Sequence, residues 1–297
     1  MSNCVIMKLK IASAFLIIFL ISSVSAFSQD KHTFLFRDYS SLDTFFESLP
    51  PELKSNTELK INLIVMFKSY PEYIKGISID ENDFIYLLLF NGERCLYDDK
   101  KNKTFEEKLN APDIEDTLSL IYPMTNPMDK ITLNHDPGRF RSISLLKAVY
   151  GKTKKEVGAN LIPVNFCGNT VLFNKHNGAS EALQKVSDEL SALIKTQPHL
   201  KKYVEKLGGT FNWRTIAGTE ILSAHSFGIA IDLNTKVSAY WRESSSAKIP
   251  YFSRLNYPIE IIKIFEAHGF IWGGKWYHYD TMHFEYRPEL LQKSSEL

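Results

Sequence analysis

Residues 223–232 read Ser-Ala-His-Ser-Phe-Gly-Ile-Ala-Ile-Asp and carry the strongest local signals in the chain. Apolar residues alternate with Ala230 and Asp232, which is the period of a β-strand and places Asp232 on the face opposite the apolar ones. These apolar residues are Ile229, Ile231 and Leu233. Gly228 permits a bend between His225 and this strand. The stretch therefore predicts a histidine, a bend and then a strand that fixes an aspartate.

A second stretch, residues 280–286, reads Asp-Thr-Met-His-Phe-Glu-Tyr and predicts a turn followed by a strand. His283 and Glu285 share one face of that strand because side chains alternate along it. Asp280 precedes His283 by three residues, so a tight turn would bring the two side chains together.

Two helices are predicted near these strands. The first runs near 180–196 with Ser180 at the N-cap position, and it stops before Pro198. The second begins at Pro258 and ends at Gly269. Helices that are segregated from strands favour an α+β fold over a doubly wound sheet.

The first part of the chain has weaker signals. Residues 27–130 are aromatic-rich and are expected to be irregular, a region of unknown fold with a structural or positional role. The apolar runs 59–67 and 84–90 suggest a helix or buried strands. The charged segment 98–108 is expected to be a solvated surface loop, and no catalytic constellation is apparent in this region.

The N-terminus has the pattern of a secretory signal peptide. Lys8 and Lys10 precede an apolar run that ends in the small residues Val24-Ser25-Ala26, so cleavage is expected near Ala26. A retained anchor is the alternative, although a span needs about 20 apolar residues and this run is shorter. The predicted organisation is a signal peptide at 1–26, an N-terminal region at 27–130 and a site-bearing domain at 131–297. The mature protein is expected in the periplasm or cell envelope, without a stable membrane span.

The composition of the 297 residues excludes some classes of partner. The net charge of +1 becomes −1 once the signal peptide is removed, leaving no positive field for nucleic acid. Cys95 and Cys167 remain in the mature chain and could form one disulfide or be two buried thiols. Neither belongs to a CxxC pair, so a cysteine zinc site is not supported.

His225, Asp232 and His283 are the candidate metal ligands. A catalytic zinc needs three protein ligands and one open position, and two imidazoles with a carboxylate meet that need. Asp280 is the candidate general base, since a carboxylate near the open position can move the proton of the attacking water. The alternatives are a hydrogen-bonded structural cluster, an Asp280 that only orients an imidazole, and a Glu285 that acts as the base or forms a buried salt bridge.

The pattern Ser-x-His-x2-Gly-x-Ala-x-Asp followed by an acid-x2-His resembles the D-alanyl-D-alanine carboxypeptidase family of zinc metallopeptidases. That family includes vancomycin-resistance D,D-peptidases and L-alanyl-D-glutamate endolysins, and it shares its fold with lysostaphin-type peptidases and the Hedgehog signalling domain. Gly-Thr-Phe-Asn-Trp-Arg at 209–214 and Trp-Gly-Gly-Lys-Trp at 272–276 also resemble the family, over roughly residues 135–290. The resemblance implies a small antiparallel sheet with helices packed on one side.

The resemblance also implies roles for individual residues. One zinc ion would be held by His225, Asp232 and His283, and Asp280 would be the base, as in the endolysin-like branch rather than the glutamate-bearing vancomycin type. Arg214 matches the family arginine that would hold a substrate carboxylate or the oxyanion of the tetrahedral intermediate. The implied activity is hydrolysis of peptidoglycan peptides, either as a D-Ala-D-Ala carboxypeptidase or at L-Ala-D-Glu bonds.

Two alternatives come from other classes of protein. One is a zinc-containing binding or signalling module without peptidase activity, which the Hedgehog resemblance allows. The other is a serine hydrolase that uses Ser223, but no GxSxG elbow surrounds that residue.

Several residues outside the ligand set have open roles. Arg139 and Arg141 would either contact an anionic substrate or be solvated in a turn, and His278 would either face the site or be exposed. The segment 235–257 would be a flap over a cleft or a passive insertion.

Overall fold

A computed structural model describes residues 30–36, 41–124, 131–216, 219–244 and 256–296. These parts contain helices, two four-stranded sheets and a two-stranded ribbon, and all of the strand pairs are antiparallel. The combination confirms the predicted α+β class. The signal peptide predicted at 1–26 and much of the segment 235–257 lie outside the described residues.

The N-terminal region is a regular sheet with helices, so the expectation of an irregular region was wrong. Its strands pair in chain order: β1 (Asp30–Leu35), β2 (Ile74–Asp80), β3 (Ile85–Leu89) and β4 (Arg94–Asp98). Its helices are α1 (Leu42–Ser48), α2 (Pro51–Lys54), α3 (Thr57–Ser69), α4 (Phe105–Asn110) and α5 (Ile114–Leu118). The apolar run 59–67 lies in α3, where the Asn56 side chain caps the helix by accepting from Leu59 N. The run 84–90 contains β3.

Much of the charged segment 98–108 is exposed, as predicted, but it includes the end of β4 and the start of α4, and its Lys103 side chain is buried. The Lys103 ammonium is buried and lies 3.2, 2.9 and 2.6 Å from the carboxylates of Asp99, Asp113 and Asp116. Thr104 and Glu107 then form a capping box that starts α4. Opposite charges compensate one another around Lys103, while charged neighbours such as Lys100 and Lys101 remain exposed.

The remaining elements follow in a second set. They are α6 (Ile143–Tyr150), α7 (Lys154–Asn160), β5 (Leu161–Phe166), β6 (Asn169–Asn174), α8 (Ala179–Thr196), β7 (Leu207–Gly209), β8 (Ala230–Asn234), α9 (Trp241–Ser244), α10 (Ile259–Ala267), β9 (Phe270–Trp272), β10 (His283–Tyr286) and α11 (Pro288–Ser295). The second sheet has the order β7-β8-β10-β9, with β8 and β10 at its centre.

Both predicted helices exist, but the start of α8 differs from the expectation. Ser180 is not its N-cap: Gly178 occupies that position with a left-handed φ of 71°. Ser180 lies in the first turn, where it is buried and donates to Glu181. The glycine lets a preceding 3₁₀ turn lead directly into the helix, so the N-cap lies two residues earlier than predicted. Pro258 immediately precedes α10, and Gly269 follows its end with a positive φ.

The N-terminal region packs against the second set of elements. Helices α3 and α11 are in contact, and the buried hydroxyl of Tyr70 donates to Glu289 at 2.8 Å. Buried apolar residues from both regions form one continuous cluster. The division at 130/131 stays a prediction, but the two regions share a core. Cys95 and Cys167 are both free thiols, and no helix among the described residues has the length and apolarity to cross a membrane.

Lys275 joins the two regions, and its replacement by methionine is expected to destabilise the fold. Its buried ammonium donates to Glu266 and to the carbonyl of Pro123, both at 2.6 Å, and Glu266 also accepts from Tyr122. Lys275→Met leaves a buried carboxylate without its cation, which costs about 3 kcal/mol. Urea unfolding measures the loss. Lys201→Met removes an exposed ion pair with Glu205 and should change little; equal effects of the two substitutions would refute the expectation.

Candidate metal centre and catalytic pocket

Two central strands and one turn position the candidate ligands. In the antiparallel pairing of β8 with β10, Asp232 lies directly opposite His283, so both side chains project from the same face. His225 lies in a 3₁₀ turn at Ala224–Phe227 that ends at Gly228. Gly228 has a φ of +66°, in the left-handed region that favours glycine, and a Cβ there would press against the Leu161 side chain. The bend that brings His225 beside the strand therefore requires glycine.

The three side chains converge on one point. His225 Nε2 lies 3.2 Å from both Asp232 Oδ1 and His283 Nδ1, and the last two atoms are 3.0 Å apart. Ligand atoms that surround a tetrahedral zinc at about 2.1 Å lie about 3.4 Å from one another. Both histidines are buried, whereas Asp232 is partly exposed. The spacing and the chemistry of these atoms fit a small divalent cation.

In each imidazole, the nitrogen that faces away from the common centre already has a hydrogen-bond partner. His225 Nδ1 lies 2.6 Å from the carbonyl of Thr210, and His283 Nε2 lies 3.0 Å from Glu285 Oε2. When the imidazoles are neutral, each of these nitrogens donates to its oxygen, and the lone pair of the other nitrogen points at the common centre. Metal-binding histidines are typically held by such contacts. The residues present therefore fit a zinc ion.

The ionisable groups of the site are strongly coupled. Burial opposes ionisation of Asp232, but hydrogen bonds and the charges of His225 and His283 hold the pKa of its carboxyl far below the usual range. Burial opposes the cation of His283, yet Asp232 and Glu285 raise its pKa to about 10. The Asp232 carboxylate would be ionised at neutral pH, as metal binding requires, and a bound metal would displace the proton that His283 holds in the metal-free site.

Asp280 lies on the wall of the pocket that contains the three ligands. The turn from Asp280 to His283 is tight, since His283 N donates to the carbonyl of Asp280 at 3.3 Å. Asp280 Oδ1 is buried and has no hydrogen-bond partner within the described part of the chain. Burial raises the pKa of this carboxyl to about 6, which suits a group that accepts and returns a proton near neutrality.

Arg214 and Ser223 also line this pocket. Arg214 N donates to Ser226 Oγ at 2.9 Å, which holds the backbone, while the guanidinium is exposed. Ser223 Oγ accepts from the backbone N–H of His225, whose imidazole is directed at Asp232 and His283. Ser223 therefore does not face the imidazole as a hydrolase nucleophile would.

The structure separates the roles of Glu285 and the two arginines. Glu285 is completely buried and pairs with both Arg141 and Arg287, so it is the salt-bridge alternative and not a base. Arg141 is thereby engaged in the core, whereas Arg139 pairs with Asp136 and still lines the pocket. Asp136 also holds His278, a role that the sequence pattern did not predict. Its place in an Asp-Pro-Gly turn was the available signal.

Comparison with known families bears directly on these segments. Residues 217–286 match the family model of the D-alanyl-D-alanine carboxypeptidases. The matched segment contains His225, Asp232, Asp280 and His283, and the resemblance drawn from the two motifs is confirmed. The carboxypeptidase match does not reach Arg214 or the N-terminal sheet. No curated protein and no solved structure gives a significant match.

Proposed function

We propose that the protein is an exported zinc-dependent peptidase that hydrolyses peptide bonds in peptidoglycan peptides, of the D-Ala-D-Ala carboxypeptidase or L-Ala-D-Glu type. The observation that supports this most directly is the convergence of His225, Asp232 and His283 beside Asp280 in one pocket. The carboxypeptidase match over the same residues points to peptide hydrolysis.

His225, Asp232 and His283 would hold the zinc ion. Zinc, when bound, would act as a Lewis acid that activates water and polarises the scissile carbonyl. Asp280 would accept a proton from the attacking water and deliver it to the leaving amine, a task for which its raised pKa is suited. Arg214 would donate hydrogen bonds to negative charge on the substrate or on the oxyanion of the tetrahedral intermediate.

Export to the periplasm or cell envelope is part of the proposal. The charged start, apolar run and small residues at 8–26 support secretion. Peptidoglycan lies outside the inner membrane, so an enzyme that acts on mature wall peptides must leave the cytoplasm.

Hydrolysis is expected to depend on one zinc ion per chain. Purified protein is incubated with defined muropeptides that contain D-Ala-D-Ala or L-Ala-D-Glu bonds, and the products are identified by mass spectrometry. A chelator should abolish cleavage, and one equivalent of zinc should restore it, because removal of the metal removes the Lewis acid. The absence of cleavage of any of these peptides by the zinc-loaded protein would refute the proposed function.

A further inference from the structure

Asp136 is a buried acid at the edge of the catalytic pocket, and it holds two side chains that line the pocket. Its Oδ2 accepts from Arg139 Nη1 at 2.9 Å and from His278 Nδ1 at 2.6 Å. Its Oδ1 accepts from the backbone N–H of His278 at 2.9 Å. The carboxylate has no exposed surface, so its hydrogen bonds to these residues are shielded from water.

The imidazole of His278 is fixed from three directions. Asp136 holds Nδ1, the ring of Phe105 stacks at a centroid distance of 6.2 Å, and Trp241 contacts it edge-on at 4.6 Å. Phe105 belongs to α4, so the N-terminal region helps to position a residue of the pocket. A ring held in this way needs little further ordering when it binds a ligand.

Polar atoms of both side chains remain available: Arg139 keeps free guanidinium N–H groups, whereas His278 Nε2 donates only when the ring is an imidazolium, because Nδ1–H already donates to Asp136. Among the described residues, His278 Nε2 has no hydrogen-bond partner, and Arg139 uses only Nη1 toward a side chain. Both residues line the pocket that contains the candidate zinc ligands. Arg141 lines the pocket as well, but its guanidinium is buried against Glu285. Arg139 and His278 are therefore the better placed donors on this side of the pocket.

We propose that Arg139 and His278, held by Asp136, form a carboxylate-binding subsite for the peptide substrate. The guanidinium of Arg139 supplies the permanent positive charge of the subsite. Arg139 and His278 would contact the substrate, and Asp136 is a positioning residue. The proposal rests on the proposed function and deepens it: the substrate carries a carboxylate, and Arg214 is left to bind the oxyanion.

The carboxylate can come from two sources, and two pairs of peptides distinguish them. The first pair is an acyl-D-Ala-D-Ala peptide with a free or an amidated C-terminus. The second is an L-Ala-D-glutamyl peptide and its L-Ala-D-isoglutaminyl counterpart, which lacks the α-carboxylate. The zinc-loaded protein is expected to prefer the carboxylate member of at least one pair by about tenfold or more in kcat/KM, since the amide loses the charge-assisted contact with Arg139.

Arg139→Gln and His278→Gln test whether this preference comes from the subsite. Each substitution is expected to reduce the preference for the carboxylate peptide to about threefold or less. The change should come mainly from a higher KM for the carboxylate peptide, with the amide peptide unaffected, because a hydrogen bond to a charged group contributes enough binding energy to account for the lost preference. Arg139→Lys keeps the charge and should retain part of the preference. Arg94→Gln, which removes an arginine paired with Asp30 on the N-terminal sheet, is the matched control and should leave the preference unchanged.

Binding separates failure of the subsite from failure of the proposed function. If no peptide is cleaved, the same pairs are titrated into zinc-loaded Asp280→Asn protein by calorimetry, alone and combined with Arg139→Gln or His278→Gln. A carboxylate preference that these substitutions remove supports the subsite even without hydrolysis. Equal binding of both members of each pair, or a preference that survives in the folded variants, overturns it.

Discussion

Asp280→Asn is expected to lower kcat by a factor of about 10²–10⁴, which is the usual contribution of a positioned general acid–base group. Asparagine keeps the size and polarity of the side chain but cannot accept the proton of the attacking water. The three candidate ligands are unchanged, so zinc should remain bound at one ion per chain. Hydrolysis of muropeptides and the zinc content of the same sample are measured together.

Two further variants sharpen this result. Asp280→Glu retains a carboxylate but moves it by about one methylene, so it should recover part of the lost rate. Asp188→Asn neutralises an exposed acid on α8 and should have wild-type activity. The Asp280→Asn protein could instead keep both its zinc and the full biological effect of the wild type. That result would favour the alternative interpretation, a zinc-containing binding module without peptidase activity.

The candidate site could be predicted from sequence because each of its two motifs is local and the family resemblance joins them. Strand periodicity decides which face Asp232 and His283 occupy, and an antiparallel pairing of the two strands then places them side by side. Gly228 indicated the bend that places His225 beside Asp232 and His283. Each of these inferences needs only a few residues of context, and the family resemblance rests on the same positions.

Other parts of the site depend on contacts between residues distant in sequence. Asp136 and His278 are 142 positions apart, and Phe105 reaches the same ring from the N-terminal region. Spacing along a chain carries no information about such contacts. Lys103 was misjudged for a related reason, since a run of charges looks solvated until its acidic partners at 113 and 116 are placed around it.

Glu285 connects the metal centre to the hydrophobic core. It is completely buried, it accepts from His283 Nε2 at 3.0 Å, and Arg287 Nη1 donates to it at 2.7 Å. Arg141 pairs with the same carboxylate. Burial disfavours its charge, but the two arginines and His283 keep its pKa well below the usual range. One buried anion therefore stabilises two cations and orients a candidate ligand.

Glu285→Gln is expected to lower the free energy of unfolding by about 3–5 kcal/mol, because it leaves the buried Arg141 guanidinium without its anion and removes one of the two carboxylates that pair with Arg287. The neutral amide also holds His283 less firmly, so zinc affinity should fall by about 10–100-fold, the usual cost of losing such an orienting contact. Urea unfolding of the metal-free protein measures the first effect, and competition with a chelator measures the second.

Glu289→Gln distinguishes the two effects of the Glu285 substitution. Glu289 is equally buried and also pairs with Arg287, but its other hydrogen-bond partner is Tyr70 and it does not contact His283. Its loss should destabilise the fold and leave zinc affinity close to that of the wild type. If both variants weakened zinc binding equally, the effect would come from general loosening of the core. A zinc defect confined to Glu285→Gln would instead mean that this carboxylate acts on the metal centre through the His283 imidazole.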